Sequence, residues 1–190
     1  VLFDLGYVST SEPFGRLFNQ GYIQAYAYRD ARGIAVSADE TVDQDGRPAP
    51  AVQDQPNRKF FYKGEPVTQE YGKMGKSLKN SVNPNGVIAE YGADTLRLYE
   101  MYMGPLEASK PWNIRDIIGV HRFLHRTWRL VVQEKEPDSE EWVLNPKIGE
   151  QRDDALERLL HKTIRKVGED IEKMAYNTAI AEMIKWGNEA

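Results

Sequence analysis

Three lysines at three-residue spacing, Lys73, Lys76 and Lys79, stand in the stretch EYGKMGKSLKNSVNP over residues 70–84. Each presents a mobile ammonium with three donors, and Gly75 between the first two widens the backbone conformations open to that turn. Together they can wrap a chain of phosphates. Where a reaction expels pyrophosphate, ammonium groups aimed at the leaving phosphates stabilise charge that grows in the transition state, by about 3–4 kcal/mol if one compares them with single oxyanion donors. Composition by itself favours a plainer reading, because charge runs are more often solvated faces. The formal net charge of the chain is −4, so affinity for a polyanion has to be local to the cluster.

The other candidates are weaker. With no cysteine in the sequence, disulfides, thiolate nucleophiles and cysteine metal sites are excluded. His121 and His125 have the i, i+4 spacing of zincin ligands, yet HRFLH has no glutamate between them and no third ligand is evident, so they read as packing residues. DQDG at 43–46 lacks the remaining ligands of a calcium loop. Arg115, Arg122, Arg126 and Arg129 recur along one segment so that three of them can share a solvent-facing strip. By itself such a strip reads as a solvated polar face. Trp112 and Trp128 offer rings for base stacking, but Trp128 falls on an apolar stripe and is read as core.

These residues need elements to hold them. TSEPFGRLFNQG predicts a short helix with Thr10 or Ser11 as cap, Pro13 in the first turn, Phe14, Leu17 and Phe18 on one face, and Gly21 as its stop. YIQAYAYRD alternates as a strand does and ends at the turn RDARG. Residues 37–58 are rich in Asp, Gln, Pro and Gly, without an apolar period, and read as a surface loop or the remnant of an inserted module. KFFYKGEPV predicts a hairpin turning at Lys63 and Gly64, with the lysine cluster about ten residues on. Beyond it Pro84 opens a helix through Val87, Ile88 and Tyr91 that Gly92 ends, and Asp94 caps a second through Leu98, Tyr99 and Tyr102. MGPLEASKPWN breaks the pattern. From Asn113 the positions Ile114, Ile117, Ile118, His121, Leu124, Trp128, Val131 and Val132 follow helical spacing over five turns. After the polar loop QEKEPDSEEWVLNPKIGE, a stripe through Leu156, Leu160, Ile164, Val167, Ile171 and Met174 predicts another long helix, and Asn177 or Thr178 caps a last one. The organisation expected is an α/β piece over 1–83 followed by a mainly antiparallel α-helical bundle over 84–190.

At 190 residues with 41% hydrophobic content the chain is long enough to bury a core. No apolar run approaches the length of a membrane span and no basic-plus-apolar leader is visible, so a soluble, cytoplasmic protein without membrane contact is expected. The sequence opens at Val1 inside VLFDLGYV and ends within a helical pattern at EMIKWGNEA, which reads as a piece of a longer protein.

KMGKS at 73–77 resembles the KMSKS signature of class I aminoacyl-tRNA synthetases, and the continuation LKNSVNPNGVIAEYGADTLRLYEMYMGPLEASKPWN is similar to the segment that follows it in the bacterial leucyl-tRNA synthetase family. EPFGRLFNQGYI upstream and YNTAIAEMI at 176–184 resemble further parts of the same family in the right order. The resemblance implies the end of a Rossmann-type catalytic domain with its signature loop, then the start of an anticodon-binding helical bundle. It implies ATP as substrate, with Mg2+, and leucine and tRNA(Leu) as partners, in a protein monomeric at full length. Residue by residue it assigns Lys76 to the ATP phosphates during formation of leucyl-adenylate, makes Lys73 the supporting cation and Ser77 a polar contact or loop anchor. It makes the helical part, with Arg115, Arg122, Arg126 and Arg129, a place for tRNA phosphate. Gly75 departs from the commoner serine, which removes a hydroxyl and adds flexibility. The HIGH signature, the amino-acid pocket and the editing domain lie on no residue of this sequence, so the piece alone is expected to be inactive. Synthetases for valine, isoleucine or methionine share the architecture, and a stand-alone helical tRNA-binding module without chemistry is the alternative from another class.

Overall fold

The computed structural model describes residues 1–49, 57–136, 141–149 and 153–190. A mixed sheet comes first, in the order β2–β1–β5–β4–β3, with β6 beside β1. The strands are β1 (Ile23–Arg29), β2 (Ala35–Val36), β3 (Thr41–Asp43), β4 (Phe60–Tyr62), β5 (Glu65–Lys73) and β6 (Lys110–Pro111). Neighbours pair antiparallel except β6, which runs parallel to β1 with Ile23 opposite Lys110. β1 is the alternating strand expected from YIQAYAYRD. Asp30 closes the turn after it by accepting the N–H groups of Arg32 and Ile34 at 3.0 and 2.9 Å. The hairpin between β4 and β5 turns at Lys63 and Gly64, both with positive φ, 51° and 85°. Two such residues in succession give the turn whose twist matches the flanking strands.

The helices are α1 (Pro84–Tyr91), α2 (Ala93–Tyr102), α3 (Ile117–Val131), α4 (Asp154–Glu172) and α5 (Tyr176–Glu189), and a small hairpin of β7 (Val132–Glu134) and β8 (Trp142–Leu144) follows α3. Asn83 caps α1 by accepting the Asn85 N–H at 3.0 Å, with Pro84 in the first turn. The core joins sheet to helices: Ala25 of β1 packs with Val87, Leu96, Tyr99, Trp112, Ile117 and Val120, and Ile23 and Met74 lie against the same cluster. A second cluster, Tyr28, Val36, Ala38, Ala49 and Phe60, fills the other end of the sheet.

Several expectations are corrected. Residues 12–22 form no helix. Phe14 and Leu17 stand 85% and 82% exposed, and a helix this short holds only when its apolar face is covered. The stretch 37–58 is not mere loop as far as it is described: β3 pairs with β4, and Thr41 and Asp43 are buried. The carboxylate of Asp43 accepts the N–H groups of Asp45 and Arg47 at 2.9 and 2.8 Å and pairs with Arg58, which also reaches Asp45. DQDG is thus a folded turn whose first aspartate is spent on backbone and arginine. Residues 50–56 of that expectation lie outside the described residues. Asp94 does not cap α2, which starts at Ala93 after Gly92, and it sits in the first turn instead. QEKEPDSEEWVLNPKIGE carries the β7–β8 hairpin, with 137–140 and 150 outside the described residues. Trp128 is not core: it is 52% exposed, and its ring meets that of Trp142 at 5.7 Å. The buried face of α3 is instead Ile117, Val120 and Phe123.

α4 packs on α5 through a corner that neither Asn177 nor Thr178 caps. The residue before α5 is Ala175, and the Thr178 hydroxyl donates to Asp170 at 2.6 Å and to the Ala175 carbonyl at 2.9 Å. Asp170 is buried, and its carboxyl is held below the usual range first by the Lys166 ammonium and then by Thr178. A carboxyl depressed in the folded state stabilises that state above its unfolded pKa of about 3.9, and the contribution is lost as pH falls through the folded value. Asp170→Asn is therefore expected to lower the thermal midpoint at pH 7, and the gap to the unsubstituted protein should close below about pH 4. A gap that stays constant from pH 7 to pH 3 would show that the charge of Asp170 contributes nothing.

Candidate functional site: the lysine loop

Lys73 ends β5, Lys76 and Ser77 stand in the 3-10 turn Lys76–Leu78, and Lys79 closes that turn in the left-handed region with φ 51°. The backbone of this loop is tied down at four points. Met74 N–H donates to the Ile23 carbonyl at 2.8 Å, and Ala38 N–H donates to the Lys79 carbonyl at 3.0 Å. Asn80, 4% exposed, accepts the Gly75 N–H at 2.9 Å and donates to the Ala25 carbonyl at 3.2 Å. Its amide therefore links the loop to the middle of β1 with both functions used. The thioether of Met74 packs on the core cluster beneath.

The backbone is fastened while the functional side chains stay in solvent: Lys73, Lys76, Ser77 and Lys79 are all exposed. Among the described residues no carboxylate pairs with any of the three lysines. Glu70, the nearest acid before them on β5, is engaged by Arg29 at 2.8 Å, which holds its carboxyl below the usual range. The Lys73 ammonium lies 4.2 Å from the centre of the Tyr22 ring. Exposed, unneutralised cations on a fixed backbone are suited to a polyanion that arrives from solvent. They are not suited to a protein-held Mg2+, which takes oxygen ligands; among the described residues there is no group of three or more His, Asp or Glu that could hold a metal ion.

A second cationic surface lies on α3. Arg122, Arg126 and Arg129 line one shallow groove of about 600 Å³ together with His121, His125 and Leu130. Arg115 is outside it, in the 3-10 turn Ile114–Asp116 before α3, where the helical phase differs. The expectation that three of the four arginines share a strip matches this placement. His121 is held by Thr95 at 3.2 Å and by ring contacts with Tyr91 at 5.6 Å and His125 at 4.3 Å.

Sequence reasoning missed Asn80 and Tyr22. Asn80 stands in LKNSVNP, where asparagine reads as an ordinary turn residue, and nothing local reveals that its amide is buried. Tyr22 adjoins an alternating strand, and its partner is 51 residues away.

The span that contains the loop has a counterpart among known protein families. Residues 50–110 match the family model described as tRNA synthetases class I (I, L, M and V). The relatives are more particular. Over 188 residues, 99% of this chain, the sequence is 52% identical to the leucine–tRNA ligase of Saccharopolyspora erythraea and 53% identical to that of Rhodococcus jostii. The chain spans 18% of the length of these relatives. Among solved structures it resembles the LeuRS of the ternary complex of Agrobacterium radiobacter K84 agnB2 LeuRS, tRNA and LeuAMS, with a TM-score of 0.55 and 25% identity, covering 98% of this chain and 19% of that one. Among the described residues no helix is long and apolar enough to cross a membrane.

Proposed function

We propose that this chain is a segment of a leucine–tRNA ligase whose full-length form activates leucine with ATP to leucyl-adenylate and transfers it to tRNA(Leu) in the cytoplasm, as a monomer. The observation that carries this reading is the exposed Lys76 and Ser77 on a fastened turn, inside the span that matches the class I synthetase model. Lys76 meets the ATP phosphates and stabilises charge as pyrophosphate leaves, Lys73 adds a supporting cation, and the Ser77 hydroxyl is a polar contact for the same phosphates. The loop offers no carboxylates to a Mg2+ ion, so one that accompanied ATP would be held by the nucleotide's own oxygens. Residues 1–83 form the end of a Rossmann-type catalytic domain. Residues 84–190 form the stem-contact region and the start of an antiparallel helical bundle, where Arg122, Arg126 and Arg129 meet tRNA phosphates and Arg115 does so from a separate position.

Near-half identity to ligases of one amino acid over almost the whole chain favours leucine over valine, isoleucine or methionine. The test is amino-acid-dependent ATP–pyrophosphate exchange by the full-length protein with each of the four amino acids in turn. Exchange is expected with leucine and at least a hundredfold less with the others. Exchange with none of them would leave the helical tRNA-binding module as the better reading.

A further inference from the structure

Tyr22 immediately precedes β1, and its backbone is held on both sides. Its N–H donates to the Ser109 hydroxyl at 3.2 Å. Its carbonyl accepts the Lys110 N–H at 2.8 Å, and the Gly21 N–H donates to the Leu106 carbonyl at 2.9 Å. A Cβ at position 21 would lie 2.2 Å from the backbone of Ala108. That clash with backbone has no rotamer to relieve it, so only glycine lets the strand approach residues 106–110 this closely. The next residue, Ile23, receives the Met74 N–H, and Gln24 is in register with Lys73. The result is that the end of β5 arrives beside a tyrosine whose backbone is fixed in place.

Tyr22 is 55% exposed, too open for a core tyrosine. Its face is occupied by the Lys73 ammonium at 4.2 Å from the centroid, within the range of a cation–π contact. A lysine side chain in solvent samples many rotamers, and an aromatic platform at its tip biases that sampling toward one position in advance.

We propose that Tyr22 is a positioning residue for Lys73, its ring face holding the ammonium where it meets the phosphates of ATP. This rests on the reading of the 73–77 loop as an ATP site. The hydroxyl takes no part; the aromatic face does. An exposed cation–π contact corresponds to a factor of about two to five in an equilibrium or rate.

The experiment is leucine-dependent ATP–pyrophosphate exchange by the full-length protein. Tyr22→Leu is expected to lower kcat/KM for ATP about two- to fivefold without moving the KM for leucine or the thermal midpoint. Tyr22→Phe, which keeps the ring, should return the value to that of the unsubstituted protein. In a Lys73→Ala background, which itself should be impaired, Tyr22→Leu should add nothing, since the ring then has no ammonium to hold. An unchanged or increased kcat/KM in Tyr22→Leu overturns the proposal, the increase meaning that the ring stores Lys73 away from the nucleotide. An equal loss in the Lys73→Ala background also overturns it. Full exchange by Lys73→Ala would overturn the ATP reading of Lys73 and this inference with it, whereas a crippled Lys73→Ala beside an unaffected Tyr22→Leu overturns the inference alone.

Discussion

Lys76→Ala in the full-length protein is expected to lower leucine-dependent ATP–pyrophosphate exchange by two to three orders of magnitude. Lys76 stands in a short turn whose backbone is fastened to β1 and to Ala38, its side chain is exposed, and no carboxylate among the described residues neutralises it. Such an ammonium meets the full charge that develops on the departing pyrophosphate. Removal of one preorganised donor at a developing oxyanion costs about 2.7–4 kcal/mol, which is the size of effect expected here. The loss should fall on kcat, because charge that grows in the transition state is not present in bound ATP to the same extent, and the KM for leucine should stay in place. Lys76→Arg should recover only part of the rate, since the planar guanidinium keeps the charge but not the compact ammonium geometry. Exchange by Lys76→Ala within tenfold of the unsubstituted protein would mean that the lysine is not aimed at the leaving phosphates.

What the sequence revealed followed the range of the forces involved. β1, the Lys63 and Gly64 turn, and α1 between Asn83 and Gly92 are set by local alternation, by backbone conformation and by caps, all of which are written in adjacent residues. The lysine spacing was legible for the same reason. What failed depended on partners far away in the chain. Phe14, Leu17 and Phe18 have helical spacing, but nothing among the described residues covers the first two, and spacing without burial does not hold a helix. Trp128 fits a helical stripe, yet α3 turns Ile117, Val120 and Phe123 inward and leaves the tryptophan against Trp142. Residues 37–58 read as a surface loop, yet within their described part Asp43 is a buried carboxylate satisfied by Arg58 and two backbone N–H groups. Thr178 looked like a cap, but its hydroxyl is drawn to Asp170 across the helix corner. In each case a tertiary partner outbid the local preference.

Asn80→Ala is expected to impair the same reaction without removing any group that touches a substrate. The buried amide satisfies the Gly75 N–H and the Ala25 carbonyl at once. Alanine leaves both without a partner, at about 1–3 kcal/mol for each group that water does not reach. The loop can avoid that cost only by moving away from β1, which would carry Lys76 and Ser77 with it. A displacement of about 1 Å at a positioned group can lower a rate about a hundredfold, so kcat should fall by one to two orders of magnitude and the KM for ATP should rise. Brief trypsin digestion provides a readout independent of activity: cleavage after Lys73, Lys76 or Lys79 should become several-fold faster, since proteolysis follows the opening of the segment. Asn80→Asp separates the two hydrogen bonds, because a carboxylate still accepts from Gly75 but repels the Ala25 carbonyl. It should fall between the unsubstituted protein and Asn80→Ala in exchange if the Gly75 contact matters more, and no better than Asn80→Ala if the tie to β1 matters more. Normal exchange and unaltered tryptic cleavage in Asn80→Ala would show that Met74 packing and the Ala38 to Lys79 hydrogen bond hold the loop by themselves.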